Sequence, residues 1–131
     1  MRAVYRTFGR ERGARVFTLD RDSHSPKTHA ELERLLVGRP IDFLFVDGDH
    51  SYAGVKADFH AYRRFVSPNG LIEMHDVAHS VSHPTIQVPR FWNELASEPL
   101  DRNVVVAEPK RSPGIGLVRQ SAAAGIGRQV A

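Results

Sequence analysis

Two aspartates in this sequence, Asp47 and Asp76, each follow an apolar run, and each has a histidine close by. His50 stands three residues past the first, and His75 directly precedes the second. Carboxylates delivered by the ends of neighbouring strands, about 4.8 Å apart, can converge on one ion. An oxygen-rich set with open positions suits a hard divalent cation, magnesium first, and an imidazole in the set widens the choice to manganese, iron or zinc. An imidazole with an ordinary pKa near about 6.5 can also take the proton of a hydroxyl that a metal has acidified. His50 is therefore the candidate base, and Asp47, Asp76 and His75 are the candidate metal ligands. Plainer uses compete for the rest. Asp49 reads as a turn former or helix cap, His29 and His60 fall inside predicted helices and read as surface residues, and His24 ranks below His50 and His75.

Positioning this set needs two strands and a crossover. The run IDFLFV at 41–46 does not alternate apolar with polar, which predicts a central parallel strand covered on both faces. Ligands in such sheets bind beyond the carboxyl ends of the strands, where Asp47, Asp49 and His50 fall. Tyr52, Val55, Phe59, Tyr62 and Val66 then advance by three and four, drawing one apolar helix face, with Asp49 or Ser51 available as its cap. Residues 67–70, Ser-Pro-Asn-Gly, predict a stop, and a second buried strand begins at Leu71. The unit is strand, helix, strand, with the right-handed crossover that such units take.

Around this unit the signals are shorter. Residues 3–12 predict a short helix ending at Gly13, and RVFTL at 15–19 a strand. Ser25-Pro26 opens a helix over 28–37, stopped by Gly38 and Pro40. Residues 77–88 form a loop rich in histidine, serine and proline, suited to a lid or a substrate contact. A helix opens at Pro89, and strands over 103–107 and 115–119 meet through Pro113-Gly114 as a hairpin.

Composition limits the function classes. The 131 residues suffice for one compact domain, with 18 basic and 15 acidic residues giving a net charge of only +3. Absence of cysteine removes thiolate catalysis, disulfides and cysteine metal sites, and fits a reducing cytoplasm. No apolar run approaches the roughly 20 residues of a membrane span. The arginine-rich start, with Tyr5 and Phe8 interleaved, is too short for a nucleic-acid motif, and that reading ranks last.

The stretches DSHSPKT at 22–28, IDFLFVDGDHSYAGVKADF at 41–59, SPNGLIEMHDV at 67–77 and VPRFWNEL at 88–95 resemble class I S-adenosylmethionine-dependent methyltransferases. The branch is that of sugar and macrolide O-methyltransferases and cephalosporin hydroxylase-like proteins, and the match covers most of residues 16–118. The resemblance implies an α/β, Rossmann-like methyltransferase fold, incomplete in this chain. It would have a mostly parallel sheet with helices on both faces and a C-terminal antiparallel hairpin. One partial domain would occupy 1–119, lacking the first strands, with a disordered tail over 120–131. It further implies that Asp22 and Ser23 approach the adenine of S-adenosylmethionine, that Asp47 contacts both cofactor and metal, that Asp76 is a second metal ligand, and that His50 deprotonates a small-molecule hydroxyl. Departures accompany the likeness. No glycine-rich loop or ribose-holding acid stands before Arg15, Glu73 occupies an apolar or small position, and His75 replaces an acid found in some metal-dependent relatives. Missing first strands would leave an apolar strand edge open to a second copy or another chain, so a non-catalytic pairing module is the competing expectation. A metal-dependent hydrolase built on the same four residues is a further one.

Overall fold

The computed structural model describes residues 7, 9–79, 81–106 and 114–120. The elements are α1 (Pro26–Leu36), β1 (Ile41–Val46), α2 (Tyr52–Arg63), β2 (Val66–His75), α3 (Val88–Glu94) with a 3-10 turn (Leu95–Ser97), β3 (Asp101–Val106) and β4 (Ile115–Arg119). They form one four-stranded mixed sheet in the order β1-β2-β4-β3. The β1–β2 pair is parallel, and β4 runs antiparallel to both β2 and β3, which gives the expected C-terminal hairpin. Residues 107–113 between β3 and β4 and residues 121–131 of the expected tail lie outside the described residues, whereas Gln120 is buried and exchanges backbone hydrogen bonds with Gly70 and Asn69.

Register sorts the side chains into two faces. Leu44, Ile72 and Val118 form one row and Val46, Met74 and Gly116 the next. Against these rows α2 sets Val55 and Phe59, and α3 with its 3-10 turn sets Val88, Phe91, Trp92 and Leu95, to make the core. Phe59, Phe91, Ile72, Met74 and Leu95 are fully buried, each worth about 1.5–3 kcal/mol of transfer free energy. Gly116 is required here, because a Cβ would come within 2.7 Å of the Trp92 ring and 2.8 Å of Val77 Cγ1. The opposite face carries Phe43 beside Leu71 and Phe45 beside Glu73 and Leu117. None of these side chains joins the core cluster.

Several expectations change. β1 is an edge strand among the described residues, and Phe43 and Phe45 are 51% and 48% exposed, so its apolar run is covered on one face only. The core side chains of α2 and α3 pack on one face of the sheet. Residues 15–19 are not a strand, because among the described residues no neighbouring strand pairs with them. Ser67–Gly70 is not the stop between helix and strand: the helix ends at Arg63, and these residues are absorbed into β2 as an irregularity opposite 41–43, with Asn69 at φ 66° and its N–H donating to the Gln120 carbonyl. Of the first predicted helix, residues 7 and 9–11 are helical, and Gly13 follows at φ 68°. Glu73, expected to need a partner, sits half-buried on the open face.

Candidate active site

The site grows from the parallel pair. β1 ends at Val46 and β2 at His75, and since the register sets Val46 beside Met74, the next residues of both strands emerge side by side. Asp76 takes a left-handed backbone at φ 63°, a conformation that aspartate tolerates better than most residues. Its carboxylate is turned inward, with its side chain 3% exposed.

Four side chains close into a ring. His50 Nε2 lies 3.1 Å from Asp47 Oδ1, within hydrogen-bond geometry, and His50 Nδ1 lies 2.8 Å from Asp76 Oδ2. His75 Nδ1 faces the same two carboxylates, 3.0 Å from Asp76 Oδ1 and 3.5 Å from Asp47 Oδ1. Neither His75 contact is aligned as a hydrogen bond, nor is that of His50 Nδ1, and buried Asp76 Oδ1 and His75 Nδ1 keep unspent hydrogen-bonding capacity. The two acids and two imidazoles singled out in the sequence are thus brought together.

The divalent cation expected on Asp47, Asp76 and His75 fits this arrangement poorly. The His50 ring already spans the two carboxylates, and among the described residues no group of three or more histidine, aspartate or glutamate side chains is placed to hold a metal ion.

The loop after β1 is fixed by local chemistry. Asp49 Oδ1 accepts from the Ser51 amide at 2.8 Å, and the Ser51 hydroxyl caps α2 by accepting from the Gly54 amide at 3.0 Å. Ser51 is therefore the cap, and Asp49 makes the turn before it. The Ser51 bonds hold the Asp49 carboxyl below its ordinary 3.8, with His24 and His50 adding smaller Coulomb contributions.

Asp22 and Ser23 lie on a second loop, docked on α2. The Ser23 carbonyl already takes the Tyr62 hydroxyl at 2.8 Å and a His29 ring nitrogen at 2.7 Å. The Asp22 carboxylate accepts from the His24 amide at 2.9 Å but remains 69% exposed, so an oxygen is open to an exocyclic amine. The Ser23 carbonyl, by contrast, is already taken by Tyr62 and His29. His29, expected at the surface, is half-buried against Tyr62, with ring centroids 5.2 Å apart.

Two residues escaped the sequence reading. Asp58, buried on α2, faces His24 Nε2 at 3.3 Å and ties the 22–25 loop to the helix. Its signal was its place inside the Val55–Phe59–Tyr62 stripe. Gln87 closes the 77–88 loop onto the site: its amide donates to the His50 carbonyl at 2.9 Å, and its side-chain oxygen accepts from the Tyr52 amide at 3.0 Å. Nothing in local composition marked it.

Comparison with known proteins places this site in a family. A methyltransferase domain model matches residues 3–77, more than half of the chain and all six residues named for the site, so the chain belongs to that family. Among solved structures it is similar to a protein assigned as a caffeoyl-CoA O-methyltransferase from Staphylococcus aureus. That match has a TM-score of 0.64 and 14% identity over 92% of this chain. An O-methyltransferase from Bacillus cereus in complex with SAH gives 0.47 and 18% over 70%. The chain spans 57% and 47% of those two chains. No curated protein matches it. The first structural likeness confirms the α/β methyltransferase fold.

Proposed function

We propose that this protein transfers a methyl group from S-adenosylmethionine to a hydroxyl of a small molecule. The observation that carries the reading is the ring of Asp47, His50, Asp76 and His75 at the carboxyl ends of two adjacent parallel strands, in a chain of the methyltransferase domain family. When bound, the cofactor supplies a methyl group on a sulfonium. The chain's own residues would orient and deprotonate the acceptor, so catalysis rests on positioning and fixed charge. Asp22 would accept from the adenine amine, and Asp47 would set its carboxylate beside the reacting end. The 77–88 loop, anchored by Gln87 to the His50 backbone, would contribute acceptor contacts. The lack of cysteine suits a cytoplasmic setting; among the described residues no helix is long and apolar enough to cross a membrane.

Calorimetric titration with S-adenosylmethionine tests this reading. Saturable heat in the micromolar range is expected, and no heat at millimolar cofactor would overturn it.

The half-exposed Phe43 and Phe45 on an edge strand favour a second reading, in which the sheet edge pairs with another copy of the chain. Light scattering discriminates: a concentration-dependent dimer supports pairing, and a monomer at all concentrations removes it.

A further inference from the structure

Asp58 is a buried acid that the proposed chemistry leaves unused, and its Oδ1 has no hydrogen-bond partner. A carboxylate withdrawn from water needs a donor or a counter-charge. The group set against it comes from another segment: His24 Nε2 stands 3.3 Å from Oδ1, and among the described residues no other ion pair involves Asp58. The same nitrogen is hydrogen-bonded to the Gly54 carbonyl at 3.3 Å. A carbonyl only accepts, so Nε2 carries the proton and turns it toward two groups of α2. Behind Asp58 lies the loop after β1, where a Cβ on Gly48 would come within 3.2 Å of Asp58 Oδ2. One acid thus backs both the 22–25 loop and the residue next to Asp47.

We propose that His24 and Asp58 are a positioning pair for the cofactor, holding the 22–25 loop on α2 so that the Asp22 carboxylate stays aimed at the adenine amine. This rests on the methyl-transfer reading above. The His24 backbone amide holds Asp22 Oδ1 at 2.9 Å, so wherever the His24 ring is anchored, the carboxylate follows. The loop has a second attachment to α2, from the Tyr62 hydroxyl to the Ser23 carbonyl at 2.8 Å. With that bond alone the loop could pivot, and the cofactor would bear the cost of ordering it on binding. The loop after β1 is fixed by its own bonds at Asp49 and Ser51, so the reacting end would keep its alignment. Loss of the pair should therefore weaken recognition of the amine and spare the methyl-transfer step.

Calorimetry with S-adenosylhomocysteine and with its 6-deamino analogue, in which hydrogen replaces the exocyclic amine, tests this. His24→Ala should weaken S-adenosylhomocysteine about tenfold or more, the scale of one hydrogen bond to a charged group, and change the analogue by less than about twofold. His24→Gln, whose side-chain amide can still donate to Gly54, should recover most of the lost affinity. Asp58→Asn should weaken S-adenosylhomocysteine in the same way, with no added loss in the double variant, because the two residues act through one contact. In turnover the loss should fall on KM for the cofactor and not on kcat. Equal weakening of both ligands, weakening of neither, additive losses in the double variant, or a fall in kcat at unchanged KM overturns the proposal. Amide hydrogen exchange on the free protein separates it from the reading on which it rests. If the parent takes up neither ligand, methyl transfer falls, and the pair itself then stands on faster exchange of the loop's Ser25 amide in His24→Ala and falls on unchanged exchange.

Discussion

His50 Nδ1 stands 2.8 Å from Oδ2 of Asp76, a carboxylate almost wholly withdrawn from water on a left-handed backbone. Removing the acid leaves an imidazole facing a buried gap, which costs about 1–3 kcal/mol. Asp76→Ala should lose that much by chemical denaturation, with further loss because alanine resists the positive φ. Asp76→Asn keeps the shape and tolerates the backbone, so it should fold with near-normal stability while methyl transfer falls about 10²-fold. Full activity in Asp76→Asn would show that the charge is idle.

A second prediction concerns pH. Tyr52, Lys56 and Glu94 clasp α2 to α3: Lys56 Nζ donates to Glu94 Oε1 at 2.7 Å and to the Tyr52 hydroxyl at 3.1 Å, and Tyr52 donates to the other Glu94 oxygen. The Lys56 bond foremost, then that of Tyr52, holds Glu94 below its ordinary 4.5, and the Glu94 bond foremost holds Lys56 above 10.5. A depressed carboxyl contributes stability that is complete above its unfolded pKa and lost as pH falls through its folded value. A raised ammonium contributes below its unfolded pKa and is lost as pH rises through its folded value. The clasp thus acts between about 4.5 and 10.5. Glu94→Gln should lower Tm near neutrality, with the difference from the parent narrowing in acid. A difference that stays constant into acid would count against the clasp.

Val37 caps α1 at φ 52° and is 77% exposed. A β-branched residue in that region carries strain of about 1–2 kcal/mol, which glycine avoids. Val37→Gly should therefore raise stability by about 1 kcal/mol in thermal denaturation, without touching the site. A drop in Tm would show that the strain is relieved by some other route.

On the open face, Phe45→Lys should suppress self-association seen by light scattering and leave Tm nearly unchanged, because Phe45 lies outside the core cluster. Persisting association would place the contact elsewhere.

The βαβ unit was legible because its signals are local. A continuous apolar run set β1 at 41–46, a three-four stripe set α2, and β4 coincided with the predicted 115–119. What escaped depends on neighbours. Residues 15–19 have strand-like composition, but a strand exists only where another pairs with it. The apolar content of 41–46 signalled two covered faces, whereas the register leaves Phe43 and Phe45 open. For the site, the sequence named the four members of the ring but not its wiring: spacing placed His50 near Asp47, and only the fold sets its other nitrogen against Asp76. Asp58 and Gln87 work through contacts 34 and 37 residues away in sequence, to His24 and His50, beyond the reach of periodicity.

The two bonds made by Gln87 have a kinetic meaning. The end of the 77–88 loop hangs from the backbone on either side of Ser51, at His50 and Tyr52. On the methyl-transfer proposal, an acceptor that displaced the loop would also disturb the alignment of the reacting groups. Ill-fitting molecules would be admitted and then turned over slowly, so discrimination among acceptors should fall on kcat more than on KM.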